Sequence, residues 1–363
     1  MSDGKPTISP GGTGAPAPRQ APAPAGNPRL RAGKGLDVGT ANLLSAVQDY
    51  EGNVIIKVQR NAFIDIEQND FTRNMLTKMD VQYVILNNKM VVIGDPAFDL
   101  ANIYNRETRR PMQDGMISPK EKDDAIPIEK LLIDRLLGPP KIKNEVCYFS
   151  IPADPIDAQM DAIWHKGVYS GICTQLGYNP KAIIEGHCVV FAELDEDDFT
   201  GIGISCGGGM FNICVSYKTM PALYFATTRG GDWIDRNVAR VLGIKASRAT
   251  AIKEKGVDLR NPRTNEERAI DVYYRELIRY TLNEIKNRFA SAQDVPQFPD
   301  PVDIVFAGGT SRIGGFIDVV KDEFAKIKFP IAIKEIRRAE DAFTSVARGA
   351  LVAAAADPEN PEE

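Results

Sequence analysis

The stretch GLDVGTAN, residues 35–42, runs an apolar, strand-like segment into a glycine turn with an acidic residue just ahead of it, and its reading decides the fold. Two later stretches repeat the design, ISCGGGMFNI at 204–213 and IVFAGGTSRI at 304–313. A single glycine turn between strands is ordinary hairpin punctuation. Three in order, each closing an apolar β-branched run, outline a split cradle for a nucleotide. Converging backbone N–H groups in a tight turn make a concave anion site, and glycine admits a phosphate oxygen where a Cβ would block it. Gly39, Thr40, Ala41 and Asn42 fit that description. Asp37, on the strand entering the turn, aims a carboxylate at the same place, where it can hold the waters of a Mg2+ ion. No GxxxxGK[ST] string occurs, which excludes a P-loop NTPase, and no GxGxxG follows a strand with an acidic residue at the proper distance.

The surrounding 363 residues suit about two domains, and 43% hydrophobic with 26% charged residues marks a soluble globular chain. A net charge of -5 without a basic run argues against a nucleic-acid partner, because phosphate affinity grows with the number of Lys and Arg contacts. Small molecules and proteins are the expected partners. The five cysteines form no CxxC pair and are odd in number, so buried free thiols are expected. His165 and His187 are the only histidines, which excludes a histidine-rich metal site. No apolar stretch reaches the roughly 18 residues that span a bilayer and no signal-peptide core is present, so the expectation is a cytoplasmic protein without a transmembrane segment.

Residues 1–34 are crowded with Pro, Gly, Ala and Ser and carry Lys5, Arg19, Arg29, Arg31 and Lys34 against Asp3. Such a composition reads as a flexible, mildly basic tail, either a solubilising extension or a tether to an acidic partner. The acidic end DPENPEE, 357–363, is expected to fray. Strands are expected on both sides of a turn at Glu51-Gly52-Asn53, and again over 81–86 and 90–94 across Asn87-Asn88-Lys89. Helical spacing marks 126–137, and VCYFSIP at 146–152 reads as a buried strand. After Ala182 the order of elements begins again, which implies two related α/β halves facing each other across a cleft. Over 265–290, Ile270, Tyr274, Ile278, Leu282, Ile285 and Phe289 recur at steps of three and four, the core stripe of an amphipathic helix.

Together with the first turn, the strings VVIGDPAF at 91–98, RRPMQDGMI at 109–117, GGDWID at 230–235 and VFAGGTSRIGG at 305–315 carry a resemblance. The chain is similar to the bacterial actin family, especially MreB and the magnetosome filament protein MamK, from about residue 35 to residue 356. The resemblance implies an α/β, two-domain actin-like ATPase fold with ATP and Mg2+ in a cleft between related halves, and self-association into filaments. It implies a first domain of 35–182 plus 340–356 with a small subdomain at about 61–108, and a second of 183–339 with a small subdomain at about 232–294. By position, Gly39, Thr40, Ala41 and Asn42 are the first phosphate loop, with Asp37 toward the metal. Gly207, Gly208 and Gly209 are the second, and Gly308, Gly309 and Thr310 meet the adenosine. Gly231, Asp232 and Lys253 fall beside the ribose and base, although Thr250 stands where the family has a Glu ahead of that lysine. The turn around Arg348 and Gly349 resembles the second connection between domains.

Two departures bear on turnover. Ser205 occupies the place of the family's acidic residue before the second loop, and Met210 and Phe211 the places of its threonines. Gln159, flanked by Asp157 and Asp161, falls at the water-orienting position, where glutamine can orient water but cannot act as a base. The resemblance thus implies ATP binding with slow hydrolysis. A non-polymerising or weakly polymerising actin-fold scaffold resembling FtsA or PilM, and a small-molecule kinase of the same superfamily, are the other readings.

Overall fold

The computed structural model describes residues 33–360 apart from 82, 105, 119–121, 161, 293 and 294, so the basic tail up to residue 32 lies outside the described residues. The chain enters through β1 (Lys34–Val38), β2 (Asn42–Gln48) and β3 (Val54–Arg60), an antiparallel meander. Its second turn is fastened by the Asp49 carboxylate, which accepts from the amides of Glu51 and Asn53 at 2.8 and 2.9 Å. A small three-stranded sheet follows, β4 (Phe63–Glu67), β5 (Val84–Leu86) and β6 (Lys89–Ile93), flanked by α1 (Asp70–Lys78) and α2 (Asp95–Ile103). It has its own core of Ile64, Ile66, Leu76, Met90, Val92 and Leu100. The first strand of the expected pair is shorter than 81–86, and the second is moved by one residue from 90–94, because Asn87 and Asn88 both take positive φ (49° and 60°) in a tight two-residue turn and Lys89 joins the second strand.

A second tight hairpin, β7 (Met112–Gln113) and β8 (Met116–Ile117), turns at Asp114-Gly115, both with positive φ. Helix α3 (Lys122–Leu137) begins earlier than the periodicity over 126–137 indicates. Then β9 (Val146–Ile151), α4 (Ala162–Gln175) and β10 (Asn179–Ile184) close the first five-stranded sheet in the order β10-β9-β1-β2-β3.

The second half repeats that plan strand for strand. Helix α5 (Glu185–Glu193) leads into β11 (Gly201–Cys206), β12 (Phe211–Tyr217) and β13 (Met220–Thr227), again an antiparallel meander. After α6 (Gly231–Leu242), α7 (Ala246–Glu254) and α8 (Asn265–Ser291) come β14 (Val302–Ala307), α9 (Phe316–Phe324), β15 (Ile333–Arg338) and α10 (Ser345–Ala356). The order β13-β12-β11-β14-β15 matches the first sheet with β11 in the place of β1 and β14 in that of β9. Helix α8 starts where Thr264 accepts from the Glu267 amide, a cap of about 1 kcal/mol, and buries Ile270, Tyr274, Ile278, Leu282 and Ile285 as their spacing requires. No helix among the described residues is long and apolar enough to cross a membrane.

The two sheets are joined by α5 and α10, which pack directly on each other. Gly349 sits inside α10 rather than in a turn, and a Cβ there would be driven into the Cys188 carbonyl of α5. All five cysteines are buried and free. Lys34 and Asp357 depart from the compositional reading of their segments. Lys34 is the buried first residue of β1, and its Nζ donates to the Leu137 carbonyl at 2.6 Å and to Tyr178 Oη at 2.7 Å, a cation at the C-terminal end of α3. Asp357, expected to fray, accepts from Tyr148 Oη at 2.7 Å and pairs with Lys181 Nζ at 2.8 Å, which pins the acidic end to the first sheet up to residue 360.

Candidate functional site

The three glycine turns meet at one cavity of about 560 Å³. The first connects β1 to β2 and the second β11 to β12, equivalent places in two sheets of equal topology, so the repeat itself makes them face each other. The third follows β14. Asn61 holds the first loop from behind: its amide donates to the Ala41 carbonyl at 3.0 Å and its Nδ2 to the Gly39 carbonyl at 3.1 Å. A trans peptide points its N–H away from its C=O, so the Thr40 amide faces away from Asn61, on the cavity side. The β7–β8 hairpin wedges between the loops. Its Gly115 amide donates to Thr40 Oγ1 at 3.1 Å, and Gly209 must lack a Cβ because one would collide with both groups. Met116, Ala153, Met210 and Ala226 form a small apolar cluster there, bringing the two halves into contact.

The second and third loops and α6 form one hydrogen-bonded block. The Gly207 carbonyl accepts from the Gly231 amide at 3.1 Å and from Thr310 Oγ1 at 2.9 Å, and the Gly208 carbonyl accepts from the Asp232 amide at 2.8 Å. These two N–H groups at the start of α6 are therefore spent on loop carbonyls rather than left for an anion. Tyr274 Oη, from the buried stripe of α8, donates to the Thr310 carbonyl at 3.1 Å. Lys253 on α7 reaches the Gly231 carbonyl at 3.1 Å and Asp235 at 2.9 Å, and Thr250 Oγ1 donates to the same Asp235 oxygen at 2.7 Å. Asp235 is 3% exposed and lines the cavity, yet its Oδ1 has no hydrogen-bond partner. A buried acceptor left unpaired is costly and suits a ligand donor such as a hydroxyl or an amine.

Two carboxylates share the cavity floor. Asp37 accepts from Ser150 Oγ at 3.1 Å, and Glu185, the first residue of α5, accepts from Ser205 Oγ at 2.9 Å. Burial lifts both above the ordinary carboxylate range, and the Asp37 charge lifts Glu185 further. Beneath the first loop, Glu129 accepts from Asn61 Nδ2 at 2.8 Å and is pushed up to about 7 by burial, against the hydrogen bonds of Asn61 and Tyr169. These acids ionise near pH 4 in an unfolded chain and only toward neutrality in the folded one. The unfolded chain therefore binds fewer protons across that window, and the stability these acids contribute, complete below about pH 4, is lost as pH rises through about 7 for Asp37 and Glu129 and about 8 for Glu185. The melting temperature of ligand-free protein should accordingly fall from about pH 5 to about pH 8, with part of the fall removed in Glu129→Gln. A melting temperature that climbs over this interval contradicts the assignment.

A sequence model of the Volactin family matches residues 33–354. The chain belongs to the Volactin family. Its fold is the bacterial actin-like one, shared with solved structures of low identity. The MamK double helical filament superposes with a TM-score of 0.70 at 21% identity, covering 90% of this chain and 100% of that one. MreB 5 of Spiroplasma citri bound to AMPPNP gives 0.61 at 14% identity, covering 89% and 95%. In sequence, the cell division protein FtsA of Enterococcus faecalis is 23% identical over 338 residues, covering 80% of this chain and 76% of the relative.

In this Volactin-family chain the cavity is lined by Asp37, Gly39, Thr40, Ala41, Asn42, Gly207, Gly208, Gly209, Gly231, Asp232, Lys253, Gly308, Gly309 and Thr310. Gln159 is not among them. It lies exposed in the irregular segment after β9, a segment held instead to the second sheet. Ile156 donates to the Ala226 carbonyl at 3.0 Å, and Asp157 accepts from the Thr228 amide at 2.8 Å. Glu185, Asp235 and Asn61 escaped the sequence reading. For Glu185 a signal existed in IIEG at 183–186, an acid closing an apolar strand just ahead of a glycine.

Proposed function

We propose that this chain binds ATP with Mg2+ between its two halves, assembles into filaments in the cytoplasm and hydrolyses the nucleotide slowly. The observation that carries the reading is the convergence of three glycine turns on one cavity with Asp37 and Glu185 in its floor. The donor set suits Mg2+, which takes one or two carboxylates and otherwise waters and phosphate oxygens, and no group of three or more His, Cys, Asp or Glu among the described residues suggests a different metal. When bound, Mg2+ would neutralise charge on the triphosphate. Asp37 and Glu185 would hold its waters, the Thr40 side of the first loop and the second loop would cradle the phosphates, and Asp235 with Lys253 would meet the ribose or base. AMPPNP is bound in the similar MreB 5 structure, and a double helical filament is the form of the similar MamK structure, which supports both halves of the proposal.

Slow turnover follows from the residues present. Ser205 brings no carboxylate of its own but donates to Glu185, so Glu185 takes over the acidic role on that side of the floor. It is also the group placed to accept a proton from an attacking water, since Gln159 would reach the cavity only by a shift of the segment that bonds Ala226. Losing one positioned group slows such a step by about 10² to 10⁴. The likeness to FtsA favours one other reading, an ATP-binding scaffold that does not polymerise. High-speed sedimentation separates them. With Mg-ATP most of the protein should pellet and scatter light, and withholding Mg2+ should return it to the supernatant. Saturable ATP binding without any pelleting selects the scaffold.

A further inference from the structure

We propose that Arg110 distinguishes a nucleoside triphosphate from a diphosphate at this site by exchanging its contact with Asp232 for the terminal phosphate; the proposal rests on the nucleotide reading above. The β7–β8 hairpin with the segment leading into it and helix α6 face each other across the cleft with reciprocal charges. Arg110 Nη1 lies 3.4 Å from Asp232 Oδ2, and Arg236 Nη1 lies 3.0 Å from Asp114 Oδ1. Residues 232 and 236 stand four apart on α6 and so share one face of it. The two pairs differ in place. Arg110 and Asp232 line the cavity, whereas Asp114 and Arg236 do not.

The other cations of the cavity are already engaged. Lys253 is fixed by Asp235 and the Gly231 carbonyl. Arg60 pairs with Asp95 at 3.1 Å and stacks on Phe98, and Arg312 lies over the Phe343 ring beyond the third loop. Of the three ion-paired cations, Arg110 has the longest contact. Its 3.4 Å contact is near the limit of a hydrogen bond, both partners are partly exposed, and among the described residues one of its five N–H donors is used. It is also close to where phosphates would lie, because its hairpin donates through Gly115 to Thr40 and its partner Asp232 donates through its amide to Gly208. A terminal phosphate offers more charge than one carboxylate and a pair of oxygens that match the guanidinium fork. A diphosphate lacks that group and leaves Arg110 on Asp232. The outer Arg236–Asp114 pair meanwhile holds hairpin and helix at one separation, so the exchange needs no opening of the cleft.

The test is the ratio of ATP to ADP affinity, measured by calorimetry at fixed Mg2+ on the full chain. Arg110→Ala should cut the ATP preference about tenfold, the usual loss for a charge-assisted contact, while ADP affinity stays within about twofold. Arg110→Lys, which keeps the charge and loses the fork, should fall between. Asp232→Asn should move the ratio the other way, because it frees Arg110, and this variant carries the test should Arg110→Ala fold poorly. Equal losses for ATP and ADP in Arg110→Ala, an unchanged ratio, or a lowered ratio in Asp232→Asn overturns the proposal alone. Wild-type protein that binds neither nucleotide overturns it together with the reading on which it rests.

Discussion

Protein carrying Asp37→Asn together with Glu185→Gln is expected to lose Mg-dependent ATP affinity by about 10² or more, and pelleting with it. Both substitutions preserve shape and remove charge. They leave the three glycine loops intact and take away the two carboxylates that accept from Ser150 and Ser205, whereas Asp235 stays paired with Lys253. The same variant should be more stable than wild type when ligand-free at about pH 8. There the wild-type acids, lifted by burial, would have to ionise in the folded state or forgo ionisation that the unfolded chain enjoys. Higher melting temperature with lost metal response is thus one joint signature, measured by thermal melts with and without Mg-ATP. Full Mg-dependent affinity in this variant removes the metal role from both residues.

Gly349→Val should be the most destabilising single change in the chain. The α5–α10 crossing joins the two sheets, and Val346, Ala350 and Ala353 of α10 share one core cluster with Cys188 and Val189 of α5. At Gly349 the helices approach so closely that backbone meets backbone, and the Cys188 carbonyl cannot swing aside as a flexible side chain can. Overpacking a rigid contact costs about 1 to 3 kcal/mol and more where both elements must separate, so insoluble protein or a strongly lowered melting point is expected. Gly349→Ala should lie between Val and wild type. A Val variant that melts within about 2 °C of wild type means that the helices can slide apart, and contradicts a rigid α5–α10 contact.

Much of this architecture was legible from local patterns. The glycine turns, the stripe of α8 and the doubling of the strand order are carried by neighbours in sequence, and each has a physical period or a steric reason. What escaped was carried by distant partners. Nothing in a count of basic residues shows that Lys34 ends at the Leu137 carbonyl, or that Asp357 finds Tyr148 and Lys181 rather than solvent. The carboxylate of Glu185 belongs to the floor only because β10 pairs with β9, which in turn pairs with β1, so a residue far from Asp37 in sequence feels its charge. Gln159 shows the converse. Chain order puts it after β9, but the pairing of its segment with Ala226 draws that segment toward the second sheet and leaves the side chain exposed. Local pattern fixes elements, while the chemistry of a cleft is set by which elements the topology brings face to face.

Titration calorimetry of the full chain with Mg-ATP tests the convergence of the three loops most directly. The account predicts saturable heat with one nucleotide per chain, abolished by chelating Mg2+ or by Asp37→Asn with Glu185→Gln. Folded, stable protein that gives no saturable heat with ATP contradicts it.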